Sequence, residues 1–212
     1  MPRAAPALIA AEMFTWAQPV IPLGGGLVLR AWLRRDAPEV FAAAQDPAIR
    51  RWHALGADTE DEAEERVDAW ARSWSSGTDA NWAIADSRSG RIAGRAALRS
   101  IHPAHGLAEV AYWVVPAVRG RGIAPRAVQA LIGWAFDIAG FHRLDLRHSV
   151  HNTQSCRVAT KCDFALEGVN RSAWLHDDGW HDMHMHARIN DGGPAATTAP
   201  IVRARPRHRA GD

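Results

Sequence analysis

Lysine is almost missing from this 212-residue chain: Lys161 stands alone among 25 basic residues, and all the others are arginine. Tyrosine is as scarce, with one residue against 10 tryptophans. Arginine in such excess first suggests a nucleic-acid binder. The 23 acidic residues reduce the formal charge to +2, which removes that argument, and a GC-rich coding sequence accounts for the skew without a function. There are only two cysteines, Cys156 and Cys162. Six residues apart on a helix they occupy different faces, so no disulfide is expected, and without a Cys-x-x-Cys pair there is no zinc finger. No apolar run reaches the roughly 18 to 20 residues of a membrane helix. The start, Met1-Pro2-Arg3 followed by Ala4 to Ala11, imitates a signal peptide only until Glu12 interrupts it, so a cytoplasmic protein is expected. An apolar content of 47% excludes disorder throughout, and the length suits one domain with tails.

Residues 1–20 lack periodicity and read as a flexible arm. Gly24-Gly25-Gly26 is a turn, and Leu27 to Trp32 alternates as a strand does. Asp36-Ala37-Pro38-Glu39 opens a helix, with Asp36 as the cap and Pro38 in the first turn. Thr59 with Glu62 is a capping box for a helix whose apolar stripe is Val67, Trp70, Ala71 and Trp74, and Gly77 stops it. Runs 81–85 and 92–101 flank the turn Asp86 to Gly90 as a hairpin, and a third strand over 108–115 is closed by Pro116. A glycine-rich turn and a helix to about Ala139 follow, with Ala127, Leu131, Trp134, Ala135 and Ile138 on one face. Gly140 ends it. Then come a strand over 143–150, a short helix over 153–161, and a closing hairpin of 164–172 and 180–189. From Asn190 the core pattern is gone, and Arg203 to Arg209 is basic; 190–212 reads as a disordered tail, and 21–189 as the domain.

The most informative segment is Val114-Val115-Pro116-Ala117-Val118-Arg119-Gly120-Arg121-Gly122-Ile123-Ala124. A strand ends, a turn rich in arginine and glycine follows, and a helix begins. Such a turn aims successive backbone N–H groups at one point, at the positive end of a helix dipole, where a pyrophosphate fits. It is not a Walker loop, because no Gly-Lys-Ser/Thr follows, nor a dinucleotide fingerprint, whose glycine spacing differs.

Arg119-x-x-Gly122-x-Ala124 after a strand resembles the acetyl-CoA signature of the GNAT N-acetyltransferases. Downstream, Asn152-x-x-Ser155-x-Arg157-Val158, then Lys161-x-x-Phe164 with Glu167-Gly168, resembles the RimJ/RimL-like branch, as do Leu29-Arg30-x-Trp32 and Trp180-x-Asp182. One departure stands out: Asp163 occupies the place of a glycine that normally closes the helix in a left-handed conformation. The resemblance implies an α/β fold with a mixed, mostly antiparallel twisted sheet of about seven strands, flanked by helices and splayed between the fourth and fifth. It implies acetyl transfer from acetyl-CoA to a primary amine, by direct attack in a ternary complex and without a metal.

By the same resemblance, backbone groups of Trp113, Val114 and Val115 pair with the pantetheine arm, and the Val115 N–H is the donor to the thioester oxygen. Backbone N–H groups of Arg119, Gly120, Arg121, Gly122, Ile123 and Ala124 take the pyrophosphate. Arg157 and Lys161, at i and i+4, meet the 3′-phosphate. Asn152 holds the pantetheine arm and Ser155 is the general acid, directly or through water; the alternative for the pair is a helix cap. Glu109 is read as the general base, against a solvated strand-edge carboxylate. His102 and His105 are candidates for the amine entrance.

His181-x-x-His184-x-His186 invites a metal reading. On a strand His184 and His186 share a face and His181 lies opposite, so a site needs further ligands from elsewhere, and decorative histidines are preferred. Trp174 and Trp180 read as core or homodimer contacts. Two competing functions remain. One is transfer of a larger acyl group such as succinyl, which favours a cationic pocket. The other is a non-catalytic module holding CoA or, through the tail arginines, RNA. A solvated tail is preferred over RNA, because aromatics are not interleaved there. No membrane partner is expected.

Overall fold

The structure, a computed structural model, describes residues 7–53 and 56–192. In chain order the elements are β1 (Ile21–Gly24), β2 (Leu27–Ala31), α1 (Ala37–Ala44), α2 (Pro47–His53), α3 (Glu60–Ser76), β3 (Ala80–Asp86), β4 (Ile92–His102), β5 (Leu107–Val114), α4 (Ile123–Gly133), β6 (Arg143–Ser149), α5 (Thr153–Lys161), β7 (Ala165–His176) and β8 (Gly179–Ile189). The strands form one sheet in the order β1-β2-β3-β4-β5-β6-β8-β7. Every pairing is antiparallel except β5 with β6. The expected strands are all present, with β1 as an eighth.

Alternation along the central strands builds a core on each face. Ala80, Trp82 and Ile84 of β3 enter one core with Leu131, Trp134 and Phe141, while Ala83 and Ala85 enter the other with Trp32, Val67, Trp70 and Trp113. Tryptophan supplies much of both. Trp74, Trp82 and Trp134 pack with ring centroids 5.2 to 5.9 Å apart, and Trp32 lies 4.8 Å from Trp70.

The segment before β1 differs from the loose arm expected of residues 1–20. Over the described part, from residue 7, Ile9 and Phe14 are buried in the first core. The indole N–H groups of Trp74 and Trp82 donate to Trp16 O (2.7 Å) and Pro19 O (2.9 Å). Residues 193–212, including most of the expected tail, lie outside the described residues.

Local expectations met several corrections. Asp36 does not cap α1. Its buried carboxylate takes a bidentate pair from Arg30 (2.6 and 2.9 Å) and the Leu33 N–H (2.9 Å). The Thr59 hydroxyl accepts from Glu62 N as expected, but Glu62 reaches back to Asp58 N, one residue early. In α3 Val67, Trp70 and Trp74 are buried as expected, Ala71 is exposed, and Ala63 extends the buried stripe toward the helix start. After α4 the chain continues as a π-helical turn, Trp134–Ala139, before Gly140 at φ +82°. The wider turn shifts the facing positions, so Phe136 and Ala139 point inward and Ile138, expected on the apolar face, is 53% exposed.

The end of α5 follows the departure noted in the sequence. Asp163 sits at φ +56°, Phe164 N–H bonds Ala159 O (3.0 Å) and Asp163 N–H bonds Thr160 O (3.3 Å), which is a Schellman closure on a non-glycine residue. Its one ion pair among the described residues, 3.7 Å to Arg188, is exposed and contributes little. Asp163→Gly should therefore stabilise the fold by about 0.5–1 kcal/mol, raising Tm by roughly 2 °C in a thermal melt; an unchanged or lower Tm would show that aspartate is not strained there.

Candidate active site

Parallel pairing of β5 with β6 stops early. Leu107, Ala108 and Glu109 pair with Arg143, Leu144 and Asp145, and no pair follows. Beyond that point Val110 to Tyr112 and Leu146 to Ser149 line a cavity of about 570 Å³ between the diverging strands. The splay falls where the sequence placed it, between the strands counted there as fourth and fifth.

The ladder determines which backbone groups of β5 face the opening. Val115 N–H donates to Ala93 O at 2.9 Å, and Val114 lies opposite Gly94. By antiparallel alternation, Trp113 and Val115 bond to β4, while Val110, Tyr112 and Val114 present their polar groups to the splayed side. This corrects the sequence reading, which gave the thioester oxygen to Val115; the N–H on the open edge is that of Val114. The Trp113 side chain is buried in the core, and its backbone groups face β4.

The turn after β5 has the expected shape. Gly120 (φ +77°) and Gly122 (φ +71°) need left-handed backbone, and among the described residues no atom beyond the adjacent residues lies within 4 Å of where a Cβ would stand. Gly122 is the N-cap of α4, whose first-turn N–H groups have no helical partner. Ile123 turns its side chain into the core and Arg121 is exposed. Arg119 is otherwise employed. Its N–H bonds Pro116 O (3.2 Å), and its guanidinium bonds Val114 O (3.0 Å) and pairs with Asp46 (2.6 Å). It therefore ties the turn to the start of α2 and is not a free phosphate ligand. Arg157 and Lys161 are exposed together on α5, and Gln129 of α4 donates to Lys161 O (3.3 Å).

Glu109, Asn152 and Ser155 all line the cavity. Asn152 caps α5, its amide oxygen accepting from Ser155 N at 3.1 Å, so the cap reading holds alongside any contact with a ligand. The Ser155 hydroxyl accepts from Tyr112 Oη at 3.1 Å, and both groups are buried. Glu109 is paired with Arg147 at 2.5 Å. A second group was missed in the sequence: Ser149 Oγ lies 2.7 Å from His181 Nδ1, and His181 Nε2 lies 2.9 Å from Asp178. Ser149 lines the cavity, and His181 is buried behind it. The histidine had been seen only as a member of a strand cluster, because its serine and aspartate partners come from another strand and the β7–β8 turn.

The cavity wall is cationic. Arg50, Arg51, Arg66, Arg95, Arg99 and Arg147 face Asp79, Glu109 and Asp177. Arg95 is buried, hydrogen-bonded to the neutral Asn81 (2.9 Å from Nε) and stacked 4.9 Å over Trp70. Burial, with Arg99 and Arg66 nearby, pulls its pKa down. Burial, with Arg95, Arg99 and Arg119 around it, pushes His53 down to about 3, so its imidazole stays neutral. These residues are scattered over four elements, and the sequence offers no spacing that joins them. His102 and His105 do not line the cavity. Trp174, which does, and Trp180 are 49% and 64% exposed and so are not core residues.

A splayed β5–β6 pair, a left-handed glycine turn and a helix N-terminus define the acetyltransferase class of fold. Residues 26–165 match the Acetyltransferase (GNAT) domain, and the chain belongs to that family. It is 35% identical over 91 residues to the ribosomal-protein-serine acetyltransferase of Escherichia coli (strain K12), covering 43% of this chain and 51% of that one. The match thus spans about half the length of that curated relative. Among solved structures, a RimL ribosomal L7/L12 alpha-N-protein acetyltransferase in complex with coenzyme A superposes with a TM-score of 0.74 at 23% identity, covering 82% of this chain and 99% of that one. The microcin C7 self-immunity acetyltransferase MccE, in complex with acetyl-CoA and AMP, gives 0.70 at 20% identity, over 79% and 94%. No helix among the described residues is long and apolar enough to cross a membrane.

Tyr112 is the chain's single tyrosine, so its titration is directly readable. Burial raises its pKa above the ordinary 10, outweighing the bond to Ser155. The folded state then holds a proton that the unfolded state releases near pH 10, so this contribution to stability is present below pH 10 and declines as the pH rises above it. Tyrosinate absorbance in the native protein should stay flat through pH 10 and appear only with unfolding; a free titration at pH 10 would contradict the burial of this phenol.

Proposed function

We propose that this chain transfers an acetyl group from acetyl-CoA to a primary amine bearing nearby negative charge, with an acidic protein N-terminus as the leading acceptor. One observation carries the acceptor's charge: the cavity at the splay is walled by arginines, and Arg95 and Arg99 have no carboxylate in salt-bridge contact among the described residues. A buried guanidinium without an ion pair is costly until an anion joins it. The E. coli relative is called a ribosomal-protein-serine acetyltransferase, which supports a protein N-terminus as acceptor. The MccE structure holds AMP, an anionic ligand in the same fold.

The donor half uses backbone. Val114 presents its N–H to the thioester oxygen, where charge develops during attack. N–H groups from Gly120 to Ala124, Pro-free at these positions, hold the pyrophosphate, and Arg157 with Lys161 holds the 3′-phosphate. Asn152 fixes the first turn of α5. Ser155, backed by the Tyr112 hydroxyl, hands a proton to the departing thiolate. On the acceptor side Ser149, His181 and Asp178 form a relay. The amine proton passes to Ser149 Oγ, directly or through water, while the Ser149 proton moves to His181 Nδ1, and Asp178 stabilises the imidazolium. Glu109 neutralises Arg147 and is the second candidate base.

Kinetics separate these roles. With an acidic N-terminal peptide, His181→Gln should lower kcat about 100-fold, Glu109→Gln should cost less, and Ser155→Ala should lower kcat without raising KM for acetyl-CoA. A larger loss in Glu109→Gln than in His181→Gln would return the base to Glu109. Arg99→Gln should raise KM for the acidic peptide about 10-fold while leaving a basic peptide unaffected or improved. The same arginines favour a second reading, an anionic acyl group such as succinyl. Thiol release that prefers succinyl-CoA whatever the charge of the acceptor would assign the arginines to the donor. No release with any amine would leave a CoA-binding module.

A further inference from the structure

We propose that His148, Cys156, His184 and His186 form a tetrahedral binding site for a borderline-soft divalent cation, foremost Zn²⁺. The four potential ligand atoms lie within 4.8 Å of one another, and they come from three elements: β6, α5 and β8. His148 and His184 are direct cross-strand partners, so they project from the same face, and His186 joins them two residues on. Cys156 reaches this trio from the first turns of α5. The sequence reading had required ligands from elsewhere to complete His184 and His186, and the tertiary structure supplies two.

The short contacts have the spacing of a metal site. His148 Nε2 faces His186 Nε2 at 3.3 Å, and Cys156 Sγ lies 3.3 Å from His184 Nδ1. Ligands at Zn–N distances of about 2.0–2.1 Å and Zn–S of about 2.3 Å, set tetrahedrally, stand roughly 3.3–3.6 Å apart. The remaining pairs of ligand atoms lie within 4.8 Å. The tautomer of His148 fits as well. Its Nδ1 lies 2.8 Å from Ser149 O, so Nδ1 carries the proton and Nε2 offers its lone pair. Two imidazole nitrogens facing each other gain at most one hydrogen bond, whereas a cation between them uses both lone pairs.

The donor set of three nitrogens and one thiolate matches zinc or cobalt and disfavours magnesium or calcium, which take oxygen. An opening lined by Cys156, Thr160, Asp163, His184 and His186, of about 470 Å³, leads to the site from solvent. Four protein ligands fill a tetrahedral centre and leave no position for substrate, so the role is structural: the ion clamps α5 to β6 and β8. Because Cys156 follows Ser155, the clamp also positions the first turn of α5.

The test uses the full chain without a histidine tag, treated with chelator and then titrated with Co²⁺. Saturation is expected at one cobalt per chain, with the intense visible bands of tetrahedral cobalt and a thiolate-to-metal charge-transfer band. Zn²⁺ should displace the cobalt, protect Cys156 from alkylation and raise Tm. Cys156→Ser should abolish the charge-transfer band, and His186→Gln should weaken affinity at least 10-fold. His181→Gln, outside the cluster, should bind as the parent does. The proposal is overturned if neither ion binds at micromolar concentration, if the bound cobalt lacks a thiolate band, or if Cys156→Ser and His186→Gln bind undiminished. Should either variant fail to fold, alkylation of Cys156 in the parent chain with and without Zn²⁺ decides: no protection sinks the site.

Discussion

Parallel pairing between β5 and β6 ends at Glu109 and Asp145, and every feature of the site depends on that early stop. A strand that pairs on one side only leaves alternate N–H and C=O groups without partners on the other, which is costly unless something polar arrives. Here the open groups belong to Val110, Tyr112 and Val114. Arg119 answers one of them by donating to Val114 O. The gap itself becomes the cavity, and the residues that would have been cross-strand neighbours become its walls. Asn152 and Ser155, at the start of α5, fill its far end because α5 follows directly on β6.

The charges divide into those used by the fold and those left over. Arg30 with Asp36, Arg119 with Asp46 and Arg143 with Asp145 and Glu167 are consumed in pairs that hold strands and helix starts together. Around the cavity Arg50, Arg51 and Arg147 have carboxylate partners, whereas Arg66, Arg95 and Arg99 have none in salt-bridge contact among the described residues. The near-neutral total for the chain conceals this, since net charge says nothing about where opposite charges meet. The arginine excess, which first suggests a nucleic-acid binder, is concentrated on one concave surface in the folded chain. The tryptophans have a separate role: most fill the two faces of the sheet.

Much of the architecture was legible because it rests on local rules. Gly122, Gly140 and Gly77 stop or start helices in left-handed conformations, Pro116 closes β5, and Asp163 adopts the conformation that its glycine-like position demands. Errors arose where a local pattern met a tertiary demand. Asp36 looked like a cap and was drawn instead to Arg30. Ile138 fitted a 3.6-residue period that a π-helical turn then broke. The resemblance points to the Val115 N–H, which the structure gives to Ala93 O, because the parity of a strand's hydrogen bonds follows from its register with a partner, and the register is not written in the strand itself. Residues before β1 seemed to have no pattern because their few apolar anchors, Ile9 and Phe14, are spaced irregularly to suit grooves formed by other elements.

By itself the sequence determined the family, the order of elements, the glycine turn after β5 and the polar pair at the start of α5, since each is a short stretch whose spacing carries its own geometry. Only the tertiary structure decided which groups meet across the chain: Tyr112 with Ser155, Ser149 with His181 and Asp178, six arginines around one cavity, and three histidines with Cys156. Several of those meetings join residues far apart in the chain, Tyr112 and Ser155 by 43 positions, Ser149 and His181 by 32 and Cys156 and His184 by 28, brought together by sheet register and helix packing. Their energies depend on burial and mutual distance, quantities that exist only once the chain has closed on itself.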